Sequence, residues 1–301
     1  MRELKIDAPD DVPQLSILNY GDTRTGKTTF GGTFPRPLII ADTTENGWKS
    51  VFTMNHANRF EPDVEPIVWG VDQINDLSMM YSRMDSLLAS GRIFTIVFDA
   101  FSFYCDFYLA SLIRLQGKPD NRQAYGALGL HLREVRVQLQ QRRASVVYNC
   151  LASHPSEEDT KGRPMIPGQQ ADKFAAGVDM VFYSRLEKIN KQETYYVHTR
   201  QYGKYIAGHR EGINSDRLPD PFNGTYCDLI THLGYDPDAV RARLPKIGAP
   251  VAKGSVPAAV KPGVPVVKPA PVVAKPTVPQ VTYVKPTVPP TNVKAPQGAK
   301  Q

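Results

Sequence analysis

Residues 21–29 read Gly-Asp-Thr-Arg-Thr-Gly-Lys-Thr-Thr, and this spacing of two glycines, a lysine and a hydroxyl suits a loop that holds phosphates. Gly21 and Gly26 let the backbone curl, so that N–H groups along Gly21, Asp22, Thr23, Arg24, Thr25, Gly26, Lys27, Thr28 and Thr29 converge on the phosphates of a nucleotide. Lys27 then reaches the β and γ phosphates. Thr28 offers its hydroxyl to Mg2+, an ion that takes octahedral oxygen ligands and keeps several waters. A second segment, IFTIVFDAFS, is an apolar run whose carboxyl end delivers Asp99 to the Mg2+ shell. Hydrolysis of ATP at such a site also needs a group that positions or deprotonates the attacking water. The segment LIIADTTENG offers Glu45 first and Asp42 as the alternative, and both also suit solvated loop acids or caps of the next helix.

These residues must be positioned by strands and helices, and the pattern is that of an α/β fold with a mainly parallel sheet. Leu15 to Tyr20 reads as a strand that runs straight into the glycine loop. Further strands are expected over Leu38 to Ala41, Phe94 to Phe98, Val146 to Leu151 and Met180 to Tyr183. A helix after Asp72 places Ile74, Leu77, Tyr81, Met84 and Leu88 on one stripe, and Gly91 stops it. A second helix carries Tyr125, Leu128, Leu132, Val135 and Leu139 inward. Thr194 to Thr199, a turn at Tyr202 and Gly203, and Tyr205 to Ala207 read as a hairpin at one side of the sheet.

At 301 residues and 41% hydrophobic content the chain can bury a sizeable core. Its net charge of +6 is concentrated at one end. From Lys246 to Gln301 there are eight lysines and no acid, which leaves 28 basic groups against 30 acidic ones over residues 1–245, a net of −2. That last stretch holds 12 of the 26 prolines in a loose Val/Ala-Lys-Pro repeat and has too little apolar bulk to fold, so an extended, disordered tail is expected. It suits either a solvated spacer or an electrostatic tether for DNA or an acidic partner. The organisation read from the chain is a lead-in over residues 1–13, a nucleotide-binding domain over 14–240 and the tail over 246–301. Cys105, Cys150 and Cys227 are far apart and odd in number, which fits neither a disulfide framework nor a zinc site. No apolar run has the length of a membrane span and the N-terminus has no signal-peptide stretch, so a cytoplasmic location is expected, without a membrane partner.

The ordered series GDTRTGKTT, PLIIADTTENG, IVFDAFS, LASH, GRPMIPGQQADKFAAGVDMVFYSR and YIAGHREG resembles the RecA-like phage ATPases of single-strand annealing and recombination, relatives of RecA and of the RadA and DnaB ATPases. The resemblance covers residues 14 to about 235. It implies a RecA-like P-loop core, ATP hydrolysis with Mg2+, and assembly as a homo-oligomeric ring or filament. For a phage protein, the place is the bacterial host cytoplasm. It gives Glu45 the place of the catalytic glutamate, although DTTENG is one residue longer than the Asp-Thr-Glu-Gly of the group. It gives Arg210 the place of the arginine that reaches a neighbouring subunit's γ phosphate, with Gly208 standing where the lysine of Lys-x-Arg would be. Ser153 and His154 could sense the γ phosphate or form a buried hydrogen-bonded pair.

The resemblance further implies single-stranded DNA as a partner, met by loops after the central strands, together with a single-strand-binding protein. Two segments fit such loops. One is LIRLQGKPDNRQAYG, with Arg114, Lys118, Arg122 and Tyr125, the last also suited to the core. The other is HPSEEDTKGRPMIPGQQADK, with Lys161, Arg163 and Lys173 set against the acids Glu157, Glu158 and Asp159. Ordinary surface loops have the same composition. Two other functions use the same phosphate loop: a nucleotide-dependent switch or loader with weak hydrolysis, and a small-molecule kinase, which would need an arginine-rich lid.

Overall fold

The computed structural model describes residues 12–41, 46–70, 77–116, 122–157, 160–189, 192–210 and 218–247. The chain divides into two units, Met1–Pro257 and Ala258–Gln301, and the second lies wholly outside the described residues. The expected tail lies outside them beyond Ile247, and so does the lead-in before Val12.

The first unit is an α/β fold on one mainly parallel sheet, the arrangement expected of a RecA-like P-loop core. In chain order the sheet is built from β1 (Ser16–Gly21), β2 (Pro37–Ala41), β3 (Ile67–Gly70), β4 (Thr95–Asp99), β5 (Ser145–Ser153), β6 (Arg163–Pro164), β7 (Met180–Ile189), β8 (Gln192–His198) and β9 (Gly208–His209). The order across the sheet is β3-β2-β4-β5-β1-β7-β8. The first six of these run parallel and β8 is antiparallel to β7. Two short strands join at opposite ends: β6 pairs with the close of β5, and β9 with the start of β7.

Strands buried on both faces read as unbroken apolar runs, and their side chains divide with a period of two between two helical layers. Leu18, Tyr20, Leu38, Ile40, Ile96, Phe98, Tyr148 and Cys150 meet α3 (Leu77–Ala89), α4 (Phe101–Gln116) and α5 (Arg122–Gln140). On the other face Ile17, Ile39, Val97, Val147 and Phe182 meet α1 (Lys27–Gly32), α7 (Tyr226–His232) and α8 (Pro237–Arg243). Each fully buried Leu, Ile or Phe contributes roughly 1.5–3 kcal/mol. Arg36, itself buried, ties the end of the described chain to the sheet by pairing with Glu61 at 2.7 Å and donating to the carbonyls of Gly91 and Pro245.

Three expectations need correction. The segment read as a loop around Arg114 and Arg122 is mostly helix. Arg114 lies in the last turn of α4, Arg122 opens α5, and only residues 117–121, with Lys118, fall outside the described residues. Helix α4 escapes a periodicity search because FSFYCDFYLASLIRLQ is apolar and aromatic nearly all round, although Phe101, Tyr104, Cys105 and Leu109 form its buried face. Tyr125 does not point into the core: it is 38% exposed, and Ala124 takes the buried position. The expected hairpin between 194–199 and 205–207 is absent, because β8 pairs with β7 from Ile189↔Gln192 to Tyr183↔His198. Tyr205 instead bridges Gly162 and Tyr202.

Candidate nucleotide site

The glycine loop leaves the sheet at the carboxyl end of β1, which lies between its parallel neighbours β5 and β7. Gly21 lies so close to β7 that a Cβ there would sit 2.0 Å from the Ser184 carbonyl oxygen, so no other residue fits. Two left-handed residues then curl the chain, Arg24 at φ 63° and Gly26 at φ 79°. Thr25 fastens the curl by donating its hydroxyl proton to the Asp22 carbonyl at 2.8 Å. The Lys27 ammonium fills the loop from within, donating to the carbonyls of Gly21 at 3.0 Å and Asp22 at 2.5 Å. Burial lowers its pKa to about 8, against the opposing pull of the Asp99 charge.

Thr28 and Asp99, the pair expected to hold a metal, are together. The Thr28 hydroxyl is 2.9 and 2.8 Å from the two carboxylate oxygens of Asp99. Asp99 ends β4, two strands away from β1, and β5 lies between them. From β5, Asn149 is in register with Asp99 and donates its amide to Oδ1 at 3.1 Å. Burial raises the pKa of Asp99, opposed first by the hydrogen bonds of Thr28 and Asn149 and then by Lys27. A hydroxyl and a buried carboxylate side by side fit a small, hard cation such as Mg2+. Among the described residues no group of three or more His, Cys, Asp and Glu could hold a metal ion, and all three cysteines are free. Asn149 was not anticipated, although a lone amide inside the buried run SVVYNCLAS is a signal that sequence reading could use.

Ser153 and His154 follow one another but part company, which removes the buried-pair reading. Ser153 lines a cavity of about 340 Å3 with Asp106, Tyr125, Arg163 and Met165 among its walls. His154 turns to the glycine loop instead: its Nε2 is 2.9 Å from Asp22 Oδ1, and its Nδ1 is 2.8 Å from the Tyr205 hydroxyl. Tyr205 stacks on Tyr183 at 4.1 Å, and Tyr20 donates to the Ile206 carbonyl at 2.7 Å, so the segment that carries Tyr205 is anchored on β1 and β7.

Arg210 is elsewhere. Its amide donates to the Asp179 carbonyl at 2.8 Å and its guanidinium to the Ala176 carbonyl, at the start of β7 and beside Ser16. From Ser16 to Gly21 the sheet runs roughly 16 Å, so Arg210 does not join the phosphate loop of its own chain. Asp42 and Glu45 lie outside the described residues, and the chain enters that segment from Ala41, the sheet partner of Asp99. The long segment after β5 folds back on the sheet through β6 and α6 (Gln170–Ala175), and Arg163 pairs with Asp172 at 3.0 Å. Among the described residues no helix is long and apolar enough to cross a membrane.

A search of the curated proteins gives no match. Among solved structures, a KaiC-like protein from the hyperthermophilic archaeon Pyrococcus horikoshii is similar at 13% identity and a TM-score of 0.38, over 65% of this chain and 81% of that one. Residues 14–211, which span β1 through Arg210 and include the phosphate loop and Asp99, match the family described as an AAA domain, and the chain belongs to that family of P-loop NTPases.

Proposed function

We propose that the protein binds Mg·ATP in the loop from Gly21 to Thr29 and hydrolyses it, and that it does so in work on single-stranded DNA during phage recombination, annealing or repair. The observation that carries the ATPase reading is the joining of Thr28, Asp99 and Asn149 beside the buried Lys27. The loop carbonyls that now accept from Lys27 are exchanged for β and γ phosphate oxygens when the nucleotide enters. Thr28 and Asp99 would hold the Mg2+, which would neutralise charge that builds on the phosphates. Water attacks the γ phosphorus, the new P–O bond forms as the bond to the β–γ bridging oxygen breaks, and ADP leaves with that electron pair. Glu45, or Asp42 in its place, takes the role of orienting the water on the strength of the family resemblance and of Ala41 lying beside Asp99.

The DNA reading is supported by the cavity at the end of β5, which opens at the same end of the sheet as the phosphate loop. Gly21 is level with Leu151, and Ser153 on the cavity wall is two residues further on. Tyr125 offers a flat surface to a splayed base, and Arg163 would exchange its pairing with Asp172 for one with a phosphate. Arg210, remote from the loop of its own chain, would exchange its bond to the Ala176 carbonyl for the γ phosphate of a neighbour's nucleotide in a ring or filament.

The test is ATP hydrolysis by the purified protein with and without single-stranded DNA, with Lys27→Ala as the blank. Turnover that DNA stimulates is the expected result. Turnover indifferent to DNA sinks the DNA part, and turnover equal in Lys27→Ala sinks the site.

A further inference from the structure

The phosphate loop accounts for the triphosphate of a nucleotide but not for its base. The direction in which the base must lie follows from the sheet order. Thr28 and Asp99 would hold the metal, and with it the γ phosphate, on the β5 and β4 side of β1. With the γ phosphate on that side, the ribose and base would leave the loop at the other end of the triphosphate, on the β7 and β8 side of β1.

An exposed aromatic side chain stands there, on β8. Tyr195 of β8 is in register with Leu186 of β7, two residues beyond Ser184, which is level with Gly21. It therefore stands about 7 Å above the end of β1. Val197, on the same face of β8, belongs to the layer that contains Phe30 of α1, so Tyr195 points to the α1 side of the sheet. Its ring reaches the glycine loop: a Cβ at Gly26 would be 3.1 Å from Tyr195 Cδ1 and 3.2 Å from Cγ. Even so, Tyr195 is 48% exposed. A large aromatic ring that is held against the loop and still half-exposed is suited to stacking on a flat heterocycle.

We propose that Tyr195 is the platform for the nucleobase, a binding residue that favours the wide purine ring over a pyrimidine and orients the nucleotide with its γ phosphate toward Asp99. This rests on the nucleotide reading of the glycine loop. The experiment separates the two by comparing a ligand that has a base with one that has none: titration calorimetry with Mg·ATP and with Mg·tripolyphosphate, on wild type and on Tyr195→Ala, Tyr195→Leu, Tyr195→Phe and Lys27→Ala. Loss of the aromatic face in Tyr195→Ala and Tyr195→Leu is expected to weaken ATP about tenfold and to leave tripolyphosphate within about twofold, while Tyr195→Phe keeps both. The leucine variant retains bulk against Gly26, so it tells stacking from mere support of the loop.

Equal weakening of both ligands in Tyr195→Ala, or no change in either, overturns the platform. Wild type that binds neither ligand, or Lys27→Ala that binds both as wild type does, overturns the nucleotide reading itself and the platform with it.

Discussion

The Thr28 hydroxyl lies within 2.9 Å of both carboxylate oxygens of Asp99, although 71 residues separate them in the chain. This pairing makes Asp99→Asn an informative change. The neutral amide cannot replace the carboxylate at a metal, so Mg2+-dependent turnover is expected to fall by at least about 100-fold. Turnover at the wild-type level would remove Asp99 from the metal site.

The pKa of Lys27, lowered to about 8 by burial, sets a pH dependence for nucleotide binding. Below that value the free protein already carries the charge that phosphates need. Above it, binding must take up a proton, because phosphates raise the pKa of the lysine in the complex. The dissociation constant for ATP is therefore expected to rise with pH above about 8, by up to about tenfold per pH unit. Calorimetry from pH 7 to pH 10, in buffers of different ionisation enthalpy, would show both the weakening and the proton uptake. A flat profile over that range would show that Lys27 stays charged throughout.

Gly21→Ala tests the close approach of β1 and β7. A methyl group 2.0 Å from the Ser184 carbonyl must push backbone against backbone in the middle of the sheet. The thermal midpoint is expected to drop by roughly 5–10 °C, with ATP binding weakened as the loop is displaced. A midpoint within 1 °C of wild type would contradict the packing described for β7.

Arg210→Ala separates its own chain from a neighbour. Because Arg210 sits at the far end of β7, ATP affinity of the dilute protein is expected to be unchanged. If it serves a neighbour's nucleotide, turnover in the variant falls about 1000-fold or more only at concentrations where wild type assembles. Equal turnover of variant and wild type across the whole concentration range would leave Arg210 a structural residue that ties β9 to α6.

The phosphate loop was legible in the sequence because its geometry is local. The curl depends on Gly21, Gly26 and their immediate neighbours, and the lysine and hydroxyl follow within two residues. The strands were legible for a related reason: a strand buried on both faces must be apolar along its length, as IVF before Asp99 and LII before Ala41 are. Several elements escaped, and for two of them, β3 and α4, the cause is plain. Four residues from Ile67 to Gly70 are too few to show a pattern, and α4 is apolar on too many sides for its period to stand out.

The amino-acid sequence by itself determined the phosphate-binding turn, the parallel α/β class and the candidacy of Asp99. The tertiary structure alone decided what surrounds them: Asn149 on Asp99, His154 on Asp22, Tyr195 over Gly26, and Arg210 at the opposite end of the sheet. The reason is the order of the strands. Placing β5 between β1 and β4, and β7 with β8 on the other side, brings together side chains far apart in the chain, and no local propensity encodes that order.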